Sequence, residues 1–107
     1  MKIILDESVP QKLRLLIEGH RTVTVAFQGW SGLKNGVLLT AAEGAGFELF
    51  LTADQELTYQ QNLTNRKMAV LVLSTNNWDL IRASAGRITA AIEAVTQGSY
   101  TELEIPE

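Results

Sequence analysis

Asp6 and Asp54 are the residues of this chain best suited to chemistry, because each stands just beyond an apolar run. Lys2-Ile3-Ile4-Leu5 precedes the first, and the stretch Phe47 to Thr52 precedes the second. Further oxygen donors gather at comparable positions: Glu7 and Ser8 after Asp6, Thr52 before Asp54, and Ser74, Asn76 and Asn77 after Met68 to Leu73. The chain has no cysteine and one histidine, His20, so thiolate metal sites and disulfides are excluded. A donor set of oxygens suits hard cations such as Mg²⁺ or Mn²⁺. Mg²⁺ takes one or two carboxylates and fills its octahedral shell with water and phosphate oxygens. Such a site generates hydroxide and stabilises the charge of a phosphodiester transition state. The same residue types also cap helices and stabilise turns, so Ser8 and Asp54 read equally as caps, and Asn76 and Asn77 as turn residues. Glu7 reads as a ligand, as support for one, or as an exposed residue.

The elements that must position these residues follow from the hydrophobic pattern. Lys2 to Leu5 is a buried strand, and Pro10 then opens a helix whose stripe of Leu13, Leu15, Leu16 and Ile17 stops at Gly19. Thr22-Val23-Thr24-Val25-Ala26 is β-branched and alternating, a second strand, followed by the glycine-spaced loop Gly29-Trp30-Ser31-Gly32. A helix from Leu33 or Lys34 ends at Gly44-Ala45-Gly46, and Phe47 to Thr52 is the third strand. Glu56 to Asn62 reads as a short helix, and Met68 to Leu73 as a strand buried on both faces. The spacing of Leu80, Ile81, Ile88, Ala91, Ile92 and Val95 predicts one long helix from Trp78 or Asp79 to Gln97, capped by Gly98. Tyr100 to Ile105 is a last, peripheral strand. Alternating strands and helices give a mainly parallel sheet covered on both faces, with the strands' carboxyl ends, and hence Asp6 and Asp54, on one edge.

Composition bounds the alternatives. With 107 residues, 46% of them apolar and 20% charged, the expectation is a single domain over residues 1–107. No apolar run reaches the roughly 20 residues of a membrane span, and no basic leader precedes an apolar region, so a soluble, cytoplasmic protein is expected. A net charge of −3, with dispersed lysines and arginines, disfavours tight unassisted binding to nucleic acid. A metal that screens the acidic cluster leaves nuclease chemistry open. His20 falls at the edge opposite the acids. Trp30 is placed to pack on the following helix or to stack on a base, and Trp78 to anchor the last helix. The amides of Tyr59-Gln60-Gln61-Asn62 form a polar helix end.

Taken in order, Ile4-Leu5-Asp6-Glu7-Ser8-Val9-Pro10, Gly19-His20 to Val25, Gly29-Trp30-Ser31-Gly32-Leu33-Lys34-Asn35-Gly36-Val37-Leu38-Leu39 and Leu51-Thr52-Ala53-Asp54-Gln55 resemble the PIN-like domains related to VapC-type toxin ribonucleases. The resemblance runs from Met1 to about Asn77. It implies a three-layer α/β/α PIN-like fold with a mainly parallel sheet of four to five strands. It also implies a divalent-metal-dependent ribonuclease with Asp6 and Asp54 as catalytic acids, both of them metal ligands together with Glu7. RNA is then the expected substrate, and an antitoxin protein or a second copy of the chain the expected partner. In PIN nucleases a further carboxylate opens the helix after the second strand. Here Lys34-Asn35-Gly36-Val37 has none, and Glu43 lies near the helix end. Asn35 offers a neutral amide oxygen and Lys34 a phosphate contact, with Ser8, Thr52, Asn76 and Asn77 as further substrate-binding candidates.

Three functions therefore compete: a Mg²⁺- or Mn²⁺-dependent ribonuclease, a catalytically degraded PIN-like module that binds RNA or protein, and a receiver-like domain holding Mg²⁺ beside a phosphorylated Asp. For the last, the chain lacks the expected run of a phosphoacceptor Asp on a central strand followed by a Thr or Ser and then a lysine at a strand end.

Overall fold

The computed structural model describes residues 1–57 and 66–107. Five strands form one sheet: β1 (Lys2–Leu5), β2 (Arg21–Thr24), β3 (Leu49–Thr52), β4 (Ala69–Leu73) and β5 (Tyr100–Leu103), ordered β2-β1-β3-β4-β5 with every neighbour parallel. Every residue of β3 and β4 is buried, whereas β2 and β5, at the two edges, are partly exposed. The apolar runs of the sequence are thus the central strands, which need apolar side chains on both faces.

Two apolar layers enclose the sheet. On one face Ile3, Leu5, Leu49, Leu51, Leu71 and Leu73 pack with Leu13 and with Ile81, Ile88 and Ile92. On the other, Ile4, Phe50, Val70 and Val72 pack with Leu38, Leu39, Ala42 and Leu57. Odd and even strand residues therefore divide between two cores, as the period of two requires. The first core is covered by a 3₁₀ helix (Gln11–Leu16), α2 (Trp78–Ala83) and α3 (Ala85–Ala94), the second by α1 (Asn35–Gly44). No described helix is long and apolar enough to cross a membrane.

Two expected helices are altered. The segment after Pro10 is a 3₁₀ helix ending at Leu16, with Ile17 already extended. Its three-residue turn puts Leu13 and Leu16 on the sheet side and leaves Leu15 64% exposed. The long helix expected from Trp78 to Gln97 is broken at Ser84 (φ −109°, ψ 22°) and ends at Ala94. Ser84 and Gly86 are weak helix formers, and the break lets Ile81 and the Ile88–Ile92 stripe reach the same core. The helix expected over Glu56 to Asn62 lies largely outside the described residues, as does Tyr59-Gln60-Gln61-Asn62.

Gly98 closes the turn into β5. Its φ is +77°, its N–H donates to Lys67 O at 2.9 Å, and a Cβ there would meet Arg66 O at 2.8 Å. Gly98→Ala is expected to destabilise the fold by about 1–3 kcal/mol. Gly86→Ala, in a helix with nothing within 4 Å of the added carbon, is expected to stabilise it by about 0.4–1 kcal/mol. Urea unfolding midpoints of the two variants should move in opposite directions.

Candidate functional site

The strand order makes the chain leave β1 toward β2 on one face and return from β2 to β3 on the other. The switch of direction falls between β1 and β3, where doubly wound sheets open a crevice at the carboxyl ends of the strands. Asp6 follows β1 and Asp54 follows β3, so the two carboxylates stand on either side of that point. Asp6 N–H donates to Leu51 O at 2.9 Å, carrying the β1–β3 pairing into the loop.

The only buried polar residue among those described is Thr52, fully enclosed. Its hydroxyl donates to Asp6 Oδ2 at 2.7 Å and accepts the Asp54 N–H at 3.0 Å. Ser8 repeats the arrangement, donating to the same Asp6 Oδ2 at 2.8 Å and accepting the Ala53 N–H at 3.0 Å. The two hydroxyl oxygens lie 3.1 Å apart, but each has one hydrogen, and the shorter contacts to Asp6 claim both. Two parallel relays, amide to hydroxyl to carboxylate, thus join consecutive peptides after β3 to one oxygen of Asp6. Chains of this kind polarise each other and strengthen every bond in them. Asp6 Oδ1 has no partner among the described residues.

Asp54 is half-buried, and its Oδ1 accepts the Glu56 N–H at 3.0 Å, a turn-stabilising bond of the sort its residue type favours. Gln55 steadies the same loop: its Nε2 donates to Ala53 O at 3.2 Å and to Leu73 O at the end of β4. Glu7 is exposed and accepts the Gly32 N–H at 3.2 Å, which ties the loop after β1 to the one after β2. Asp6 and Glu7 belong to none of the ion pairs formed among the described residues, His20–Glu93, Arg66–Glu43 and Arg82–Asp79.

The remaining predicted residues separate. Thr52, expected to bind substrate, has no exposed surface and acts on Asp6 instead; Ser8 does the same from a half-buried position. Asn77 Oδ1 caps α2 through the Leu80 N–H at 3.1 Å, and Asn76 is exposed beside it. Ser74 accepts the Ile105 N–H at 2.7 Å, a fastening for the segment after β5. Lys34 is exposed at the N-cap of α1, and Asn35 is that helix's first residue. No acid occupies the first turn of α1. Glu43 faces the opposite edge, where it accepts the Lys67 N–H at 2.9 Å and pairs with Arg66 at 3.2 Å. His20, also away from the acids, meets Glu93 of α3 at 2.7 Å. Trp30 packs edge-on against Phe47, 6.0 Å between centroids, and Trp78 joins the first core with the Lys12 ammonium 5.9 Å from its ring.

Among the described residues no three Asp, Glu or His side chains gather closely enough for a metal cluster. The donors present are hard oxygens and two principal carboxylates, a set that fits one Mg²⁺ or Mn²⁺ completed by water better than a two-metal centre. A cavity of about 90 Å³ opens beside Asp6, lined on one side by Asp6, Glu7 and Gln11 and on the other by Thr24, Val25 and Ala26. It lies on the β2 side of Asp6, and Asp54 does not line it. A larger cavity, about 360 Å³, opens at the opposite edge among Phe47, Met68 and Val95, away from both aspartates.

Fold and site together define an α/β domain with a hydroxyl-braced aspartate at its switch point. Comparison with protein-family models, with curated proteins and with solved structures yields no match for this chain.

Thr52→Val keeps the shape but leaves the Asp54 N–H without its acceptor, a loss expected to cost about 1–3 kcal/mol. Thr52→Ser keeps the relay and gives up one buried methyl, about 1 kcal/mol. Denaturant titration of the two variants reads the difference.

Proposed function

We propose that this chain is a PIN-like, divalent-cation-dependent ribonuclease in which Asp6 and Asp54 hold one Mg²⁺ or Mn²⁺. The observation that carries the reading is the bracing of Asp6. Two hydroxyls, one of them the only buried polar side chain described, fix one carboxylate oxygen, and the other has no partner among the described residues. A buried hydroxyl spent on orienting an acid at a switch-point edge is a feature of sites that must hold a charge in place. The residue order from Ile4 to Gln55 that resembles PIN-like domains selects the same two aspartates.

When bound, the cation supplies Lewis-acid charge opposite a phosphodiester's oxygens. The chain's own residues do the rest. Thr52 and Ser8 keep Asp6 in one rotamer, the Glu7–Gly32 bond holds the β2 loop against the site, and Lys34 offers an ammonium to the substrate backbone. Asp54, half-buried at the same edge, would share the cation or accept a proton from attacking water.

A second reading, a PIN-like module that binds RNA or protein without cleaving, is favoured by the acid-free first turn of α1 and by the commitment of Glu43 to Arg66. A receiver-like reading draws on the strand order and on the Asp6-Glu7 pair. Against it, β5 runs into Glu104 with no lysine.

Calorimetric titration with Mn²⁺ is expected to show binding that Asp6→Asn and Asp54→Asn each weaken strongly and that the double variant abolishes. Thr52→Val should lower the affinity by about 10- to 100-fold, the usual effect of removing a group that orients a ligand. Wild-type protein should cleave end-labelled single-stranded RNA with Mn²⁺ and not with EDTA. Unchanged Mn²⁺ binding by the double variant would sink the site. Mn²⁺ binding with no cleavage selects the second reading, and a phosphorylated species after acetyl phosphate treatment selects the receiver-like one.

A further inference from the structure

The connection from β2 to α1 tightens as soon as it leaves the sheet. Phe27 N–H donates to Thr24 Oγ1 at 3.1 Å, Gln28 N–H to Thr24 O at 3.2 Å, Gly29 N–H to Ala26 O at 3.0 Å and Trp30 N–H to Val25 O at 3.0 Å. Gly29 takes a φ of +78°, a conformation open to glycine at no steric cost, and Trp30 anchors the far side on Phe47. The turn is held at both ends, yet Phe27 in its middle is 80% exposed, more than any other large apolar side chain described.

A single exposed apolar residue is ordinary on a protein surface. The position of this one is not, because Thr24, Val25 and Ala26, immediately before it, form the wall of the cavity facing Asp6 and Glu7. Lys34, at the end of the same connection, is exposed. At about 90 Å³ the cavity is too small to enclose a nucleobase. A base brought to this edge must rest outside it. Electrostatics favour the base as the point of contact on this side: where no cation screens them Asp6 and Glu7 repel phosphates, whereas stacking on a neutral ring carries no such cost.

We infer that Phe27 is the stacking platform for a base of single-stranded RNA next to the Asp6 cavity, with Lys34 for an adjoining phosphate. The inference rests on the RNA reading of the site. Every base has a π-face, so the platform confers affinity with little sequence preference.

The test is fluorescence anisotropy with a labelled single-stranded hexa-adenylate, alongside the same strand made abasic, in Mn²⁺ and in EDTA. Phe27→Ala is expected to weaken binding of the hexa-adenylate by roughly 5- to 150-fold. Phe27→Trp should retain it, the abasic strand should not distinguish wild type from Phe27→Ala, and Mn²⁺ titration of Phe27→Ala should match wild type. Equal affinity of wild type and Phe27→Ala for the hexa-adenylate overturns the inference, as does absence of wild-type binding in Mn²⁺. So does a wild-type dimer in sedimentation that Phe27→Ala converts to monomer, which assigns the ring to a second copy. Loss of Mn²⁺ binding in wild type with the Phe27 effect intact overturns the cation reading and leaves the platform standing.

Discussion

The pairing of β1 with β3 is the constraint on which the rest of the molecule depends. β1 lies between β2 and β3, so the chain must leave it on one face of the sheet and come back past it on the other. That reversal opens the carboxyl edge, and the register Ile3↔Leu49, Ile4↔Phe50, Leu5↔Leu51 decides which loop residues meet there. With Leu5 beside Leu51, the next bond runs from Asp6 N to Leu51 O, and Asp6 comes level with Thr52. A slip of one residue would turn Asp6 to the other face of the sheet.

Within that frame a buried hydroxyl fixes an acid. Thr52 has no contact with water, so its oxygen must find partners inside the protein, and the available ones are Asp6 Oδ2 and the Asp54 amide. Ser8 adds a second path to the same oxygen. The result is a rigid link between loops that are 44 residues apart in the chain. Rigidity here does not come from burying the acid, which stays half exposed, but from satisfying one of its oxygens completely. The other oxygen has no partner among the described residues.

The two edges of the sheet differ accordingly. At the amino edge the acids already have partners: Glu43 pairs with Arg66, Glu93 meets His20, and Glu48 Oε1 accepts the backbone N–H of Lys2 at 3.1 Å. At the carboxyl edge Asp6 and Glu7 have hydrogen bonds but no ion pair among the described residues. The larger and more apolar cavity at the amino edge has its acids, Glu43 and Glu48, already engaged.

Much of this was legible in the residues themselves. The three central strands are long enough and apolar enough to be recognised, because a strand buried on both faces tolerates little else, and parallel alternation alone puts Asp6 and Asp54 on one edge. The edge position of β5 followed from its partial polarity, whereas for Trp30, open in the sequence between packing and stacking on a base, the structure supplied the partner, Phe47. Other features were decided only by tertiary contacts. The helix after Pro10 tightened to 3₁₀ so that Leu13 and Leu16 share a face, and the last helix broke at Ser84 so that both halves could reach one core. Thr52 and Ser8 read as substrate contacts because a hydroxyl's type says nothing about which way it points. The register of β1 against β3 turned them toward Asp6. Asn77 became a cap because α2 begins at the next residue, and Glu43 went to the far edge because a ten-residue helix carries its end about 15 Å from its start. Sequence determined which residues lie at the ends of buried strands, since that depends on local apolarity. Only the packed sheet decided which oxygens are shared and which are left open, since that depends on groups brought together from distant parts of the chain.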